Sequence, residues 1–377
     1  MDTLFFELLQ VAVGHRRYLS HCISSEEWSS LFETAKNQAV IGIAFYGVQQ
    51  LPKEQMETLP MQLKMQWLGI AAHIQKRNEV MNRCTKKLQE LLTDDGISSC
   101  VLKGQGVAAM YGDRLAALRQ SGDIDLYVDS SREYMMQYLK DKGIKYGHWD
   151  FLHVDAKFFD NIEVEIHYRP SLMRNIISNH RFQKFIEINK DSFFRGNANI
   201  CDTTEQLIVP IPWLNIFYLL HHTFRHLLTE GVGLRQVMDC YFAIKSTSLS
   251  DEGAKHLVNA VRQFGMMRFT QGLLWVIKTV FLADEINEFC KRTTWSLNAQ
   301  EGRFILGEIM QSGNFGHTDS RYIKNVGKTG KLIKVFRRSA HLLNHYPSEA
   351  LAAPFYYGWH FCWKRCQCIS ISMNSNN

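Results

Sequence analysis

Along the first 95 residues, apolar positions recur at intervals of three and four, the period of helices with one buried face. LFFELLQVAV opens the chain, EEWSSLFETAKNQ follows a Ser24-Ser25-Glu26-Glu27 capping signal, and MQLKMQWLGIAAHIQKRNEVMNRCTKKLQELL predicts a long amphipathic helix. Pro52 and Pro60 punctuate this run, and Asp94-Asp95-Gly96 is a turn that stops the long helix. The period then changes. ISSCVL reads as an apolar strand, Lys103-Gly104 as a turn into a short helix, and a polar loop leads to a second strand opening with Asp123-Ile124-Asp125. SREYMMQYLKDK predicts a helix terminated by Gly143, and HWDFLHVDAKFF and IEVEIHYR alternate as two antiparallel strands about an Asp160-Asn161 turn. From Pro212 the helical period returns in PWLNIFYLLHHTFRHLLTEG and GLRQVMDCYFAIKS, parted at Gly231 and Gly233, with further helices to about residue 312. Short linker signals lie between Gly313 and Gly330, before a basic helix from about Lys331 and an aromatic stretch, PFYYGWHFCWKRC.

This pattern predicts an α+β fold: a small mixed sheet flanked by N-terminal and C-terminal helices. It divides the chain into a helical region (1–95), an α+β core (96–210), a second helical region (211–312) and a basic, aromatic tail (313–377). At 377 residues the chain exceeds the usual size of one core, so two packed units or one domain with helical extensions are expected. An apolar fraction of 46% with 12% aromatics suits a globular protein, and no uncharged window reaches the roughly 18 residues of a membrane-spanning helix. The start lacks basic residues and carries Glu7 within its apolar run, which argues against a secretory signal and leads us to expect a cytoplasmic protein. Nine cysteines lie scattered without C-x-x-C spacing and read as reduced thiols. The net charge is +6, and seven Lys and Arg residues with no acid fall between Arg321 and Tyr346. A basic surface suits nucleotides, nucleic acid or anionic lipid and does not choose among them. A nucleic-acid binder would interleave basic and aromatic residues near the candidate site, whereas here they lie far along the chain.

The candidate chemistry lies between Cys100 and Asp129. Side chains alternate along a strand, so Asp123 and Asp125 project to one side while Ile124 and Leu126 face the other. Two adjacent carboxylates repel unless a proton or cation lies between them, and carboxylate oxygens suit hard divalent ions. Glu163 and Glu165 share a face with His167 on the later strand, so either supplies a third acid. Gly104-x-Gly106-x-x-Ala109 follows a strand and opens a helix, as a dinucleotide-binding fingerprint does, but an antiparallel hairpin and then helices alone do not build that fold. What remains is a glycine turn whose backbone suits a phosphate, with carboxylates on two strands suited to one or two metal ions, a geometry of nucleotidyl transfer. Lys103 and Arg119 are either phosphate contacts or ion-pair partners. His222 and His226 stand at i and i+4, a spacing that serves metal binding or helix packing, with packing the simpler account.

At these residues the sequence resembles the bacterial nucleotidyltransferase-like proteins of the DNA polymerase beta-like superfamily. Leu102-Lys103-Gly104, Tyr111, Arg119, Asp123-Ile124-Asp125-Leu126 and Glu165-Ile166-His167 carry the likeness. It continues into His222-x-x-x-His226 and Leu234-Arg235 with Asp239, covering roughly residues 95 to 245. The superfamily usually has Gly-Ser or Gly-Gly at its phosphate turn. Lys103-Gly104-Gln105 and the long gap to Asp123 depart from that, in the manner of the family resembled. The resemblance implies a polymerase beta-like sheet and transfer of a nucleoside monophosphate from a nucleoside triphosphate to an acceptor hydroxyl of unidentified class. Asp123, Asp125 and Glu165 would hold Mg2+ or Mn2+, and Lys103, Arg119 and the Gly104-Gln105 backbone would orient phosphates. A relative that keeps the fold and binds a nucleotide or partner protein without catalysis is the alternative.

Overall fold

The computed structural model describes residues 2–200, 203–317, 319 and 328–374, with side chains throughout except at 328, 329, 331, 332 and 367–374. The N-terminal segment forms α1 (Asp2–Ala12), α2 (Ser25–Asn37), α3 (Ile41–Gln50), α4 (Lys53–Met56) and α5 (Met61–Asp94). The Ser24 capping signal is met in full: its hydroxyl takes the Glu27 N–H, and the Glu27 carboxylate takes the Ser24 N–H at 2.8 Å. The 34 residues of α5 extend roughly 51 Å at 1.5 Å per residue. Its buried stripe, Trp67, Ala71, Ile74, Asn78, Met81, Thr85, Leu88 and Leu92, advances by alternating steps of four and three. The first half of that stripe enters the core shared by the helices and the second half enters the core under the sheet, so α5 joins the two.

The sheet consists of β1 (Ser99–Val101), β2 (Ile124–Val128), β3 (Tyr146–Trp149), β4 (His153–Phe159) and β5 (Ile162–His167), in the order β1-β2-β5-β4-β3. Only β2 and β5 run parallel. Between β1 and β2 lie α6 (Gln105–Ala108) and α7 (Asp113–Leu118), and α8 (Arg132–Asp141) follows β2. One face of the sheet is apolar. Leu126, Val154 and Ile166 are fully buried there with Met81 and Leu88 of α5 and Met135 and Leu139 of α8. Each such side chain contributes about 1.5–3 kcal/mol by leaving water. The opposite face of the same strands carries the acids and histidines.

Several local features differ from the expected pattern. HWDFLHVDAKFF is not one strand, because the Asp150 carboxylate accepts the N–H groups of Leu152 and His153 at 2.7 and 3.1 Å and folds the chain back as β3 and β4. The helix after Gly104 is broken in two, with Gly112 at φ +75° opening the second piece. Asp123 lies immediately before β2, which starts at Ile124. After α9 (Ile176–Ile188) and α10 (Lys190–Phe193), an unexpected hairpin forms from β6 (Gly196–Asn199) and β7 (Gln206–Val209). Gln89 of α5 holds it by bonding both the N–H and the C=O of Ile208 at 3.0 Å.

The C-terminal helices are α11 (Pro212–Thr229), α12 (Leu234–Ser246), α13 (Asp251–Gln263), α14 (Met267–Phe281), α15 (Glu285–Thr293), α16 (Ala299–Ser312), α17 (Lys328–Leu342) and α18 (Pro347–Asn374). They share one apolar core with α1–α3. Gln10 of α1 donates to Val280 O of α14 at 3.0 Å, and Gln38 spans from Ile309 O to the Leu234 N–H. The aromatic stretch packs on the sheet region: Trp359 and Trp363 of α18 meet Phe151 edge-on at 5.4 and 5.8 Å, and Glu349 accepts the Arg174 N–H at 2.7 Å. Arg321, Lys324 and half of the expected linker lie outside the described residues. Among the described residues no helix is long and apolar enough to cross a membrane.

Candidate active site

Register decides which acids meet. In the parallel pair β2–β5, Asp125 stands opposite Glu165, and in β4–β5, Glu165 stands opposite Asp155. Ligand oxygens of Asp123, Asp125 and Glu165 all lie within 4.8 Å of one another. Glu163, two residues from Glu165 on the same face, is exposed at the edge of the adjoining cleft. Asp125 is buried, its Oδ1 facing the Lys103 ammonium at 2.7 Å and His167 Nε2 at 3.1 Å, while its buried Oδ2 has no hydrogen-bond partner. His167 Nε2 is also 3.1 Å from Glu165 Oε2.

These contacts set the charge states. Burial alone would lower the Lys103 pKa, but the facing charges of Asp125, Asp123 and Glu165 outweigh it and hold the ammonium above the ordinary lysine range. Burial likewise opposes a charged His167, yet its bonds to Asp125 and Glu165 raise it to about 9, so it is an imidazolium at neutral pH. Glu165 is driven up by burial and down more strongly by the His167 bond and the Lys103 charge, to about 2. The neighbouring His153 is lowered by burial and by the charge of His167.

The loop that delivers Asp123 is held on every side. Asn78 of α5 donates to Ala117 O and Arg119 O at 2.8 Å, Arg77 donates to Gly122 O at 2.9 Å, and Arg235 of α12 donates to Gln120 O at 2.9 Å. Arg119 grips Asp239 with two bonds of 2.7 Å, and Tyr111 adds a third to the same carboxylate at 2.6 Å. The Gln105 side chain accepts from Ser121 at 2.7 Å and donates to Asn82, so it too is committed to the loop. Gly104 adopts φ +60°, which L side chains rarely do, and an added Cβ would lie 3.4 Å from Asp123 O. The glycine thus lets the Lys103 turn press against the backbone of the first aspartate.

A cleft of about 600 Å³ opens over Asp123 and Asp125, with Lys103, Arg119, Arg235, Glu163, His222 and Asp239 in its lining. Arg235 stacks on Phe315 at 5.4 Å and its buried Nε has no hydrogen-bond partner. His222 and His226 are buried on α11 with rings 4.3 Å apart; burial and the neighbouring cations hold both below the ordinary histidine range. Neither joins a group of three ligand-type side chains among the described residues.

A family model of uncharacterised nucleotidyltransferases matches residues 24–281, about two thirds of the chain. The chain belongs to this nucleotidyltransferase family. Its matched segment contains α5, the whole sheet, the loop and both helices that line the cleft. No curated protein matches the chain in sequence. Among solved structures, an antigenic nucleotidyltransferase-like protein from Paracoccidioides brasiliensis is similar over 58% of this chain and 94% of its own, at 12% identity and a TM-score of 0.35.

Several residues that build this nucleotidyltransferase-family site went unnoticed in the sequence. Asn78 left a faint signal, a polar residue within the apolar stripe of α5. Ser121, Asn82 and His153 left none, because each acquires its partner only through tertiary packing.

Proposed function

We propose that this chain is a metal-dependent nucleotidyltransferase with a polymerase beta-like site, moving a nucleoside monophosphate from a nucleoside triphosphate to an acceptor hydroxyl. The observation that carries the reading is the Asp123, Asp125 and Glu165 group, set beside a cleft with basic residues and including a buried carboxylate oxygen without a partner. An all-oxygen donor set suits Mg2+ or Mn2+, and the orphaned Oδ2 of Asp125 is the kind of atom a cation satisfies. Such an ion, held by these three residues, would offset charge on the oxygens of the reacting phosphate.

The chain's own residues supply the remainder. Lys103 and Arg235 are the cations in the cleft best able to turn to a triphosphate, since Arg119 is spent on Asp239 and serves to position the loop. Gly104 leaves room for a phosphate against the turn. Phe315 offers an aromatic face beside Arg235 for a base. The acceptor oxygen forms a bond to the α-phosphorus as the bond to the β-phosphate oxygen breaks and pyrophosphate leaves. A carboxylate held at about 2 is a weak base, so Glu165 contributes charge and position while the hydroxyl proton passes to solvent.

One observation favours a second reading, a non-catalytic relative that binds a nucleotide or partner protein: Lys103 and His167 already neutralise the acids from within the chain. Release of pyrophosphate from each of the four common triphosphates, assayed with Mg2+ or Mn2+ and mixed acceptors, separates the two. Asp125→Asn should lower turnover about a hundred- to a thousandfold, comparable to loss of a main electrostatic group, while its circular dichroism stays that of the parent. Unchanged turnover in that variant would remove the assignment.

A further inference from the structure

We propose a second metal site, for a zinc-class ion, at the open edge of the sheet, built by His148, His153 and Asp155. Ligand atoms of these three side chains lie within 4.8 Å of one another. None belongs to the acid group described above, so the inference stands apart from the proposed reaction.

The donor set differs in kind from the first site. Two imidazoles and one carboxylate favour a borderline-soft ion such as zinc over magnesium, which prefers an all-oxygen shell. The spacing agrees. Ligand atoms about 2.0–2.1 Å from a tetrahedral zinc stand about 3.3 Å apart. His153 Nε2 and Asp155 Oδ1 are separated by 3.3 Å, longer than a charge-assisted hydrogen bond of about 2.7–2.9 Å. Behind His153, its other ring nitrogen lies 3.8 Å from the Asp150 carboxylate, which is itself fixed by two backbone N–H groups. That separation is longer than a hydrogen bond, and the buried Nδ1 has no partner. His148 Nε2 faces the Lys364 ammonium at 2.9 Å; an ammonium only donates, so this nitrogen presents a lone pair that a metal takes when Lys364 turns aside. Glu165 Oε1 lies 4.0 Å from His153 Nε2 but stays outside this group of three.

The test uses the full chain, stripped of metal and titrated with Zn2+ against a chromophoric chelator, then with Co2+ followed by visible absorption. Parent protein should take up one zinc per chain, and the cobalt form should show ligand-field bands without thiolate charge transfer. His148→Ala and Asp155→Ala should each weaken zinc at least about tenfold, the scale of losing even an orienting partner. His148 is exposed and the Asp155 side chain about half exposed, so the melting temperatures without metal should stay within a few degrees of the parent. Asp125→Asn should leave zinc affinity unaltered even if it abolishes the proposed transfer. Equal affinity in parent and both edge variants, thiolate charge transfer in the cobalt spectrum, or loss of zinc in Asp125→Asn would each overturn the proposal.

Discussion

Asp125 is shared by Lys103, which precedes it by 22 positions, and His167, which follows it by 42. The ammonium and a divalent ion compete for the same carboxylate, so the proposed reaction requires Lys103 to leave Asp125 as metal arrives and to turn to the triphosphate. Lys103→Met should therefore strengthen Mn2+ binding at least tenfold, about 1.4 kcal/mol, and weaken triphosphate binding in the presence of metal by a similar factor. Mn2+ paramagnetic resonance reads the first and calorimetry the second; unchanged or weaker Mn2+ binding would show that Lys103 does not compete. At this scale the sequence exposed the acids, because a D-x-D pair on an apolar strand has few other uses. It left Lys103 and Arg119 open between phosphate contacts and ion-pair partners. The choice depends on which carboxylate each meets, and Asp239 reaches Arg119 only through packing across 120 residues.

The site is assembled from elements that do little chemistry. α5 and α12 hold the loop before β2 from two sides, and the buried Arg119–Asp239 pair ties that loop to α12. Removing one member leaves an uncompensated buried charge, so Asp239→Ala should cost about 3–5 kcal/mol in urea denaturation, whereas Arg119→Met combined with Asp239→Leu should recover part of the loss. A cost below about 1 kcal/mol for Asp239→Ala would mean that the loop is held by its backbone bonds alone. Helices and the β4–β5 hairpin were legible because their periods of 3.6 and 2 are strong local signals. The break at Asp150 and the β6–β7 hairpin were not, since the first depends on a side chain capturing two amides and the second on Gln89 from α5.

Across the whole molecule, the helices on either side of the sheet share a core that no local pattern announces. The chain hides histidines in it. His221 of α11 is stacked on Phe182 at 4.5 Å, and burial followed by the nearby Arg225 charge lowers its pKa to about 3. A histidine depressed in the fold gives stability that is complete above its unfolded value of about 6.5 and lost as pH falls toward the folded value. His222 and His226 act in the same direction. His167, raised to about 9, contributes fully below 6.5, and Glu165 loses its contribution only below its ordinary 4.5. Unfolding free energy from urea denaturation should thus fall between pH 6.5 and 4.5, and His221→Phe should flatten that slope by about 1.4 kcal/mol per pH unit. An identical slope in parent and variant would show that His221 does not carry it.

The central claim, that Asp123, Asp125 and Glu165 with the cleft form a metal-nucleotide site, is most directly tested by thermal shift. The four nucleoside triphosphates would each be added with and without Mg2+ to parent protein and to Asp125→Asn. A ligand at about a hundred times its dissociation constant adds about 2.7 kcal/mol, a shift of several degrees. The account predicts that at least one triphosphate stabilises the parent only when metal is present and that Asp125→Asn abolishes the effect. Stabilisation that needs no metal and survives in Asp125→Asn, or none with any triphosphate, would contradict it.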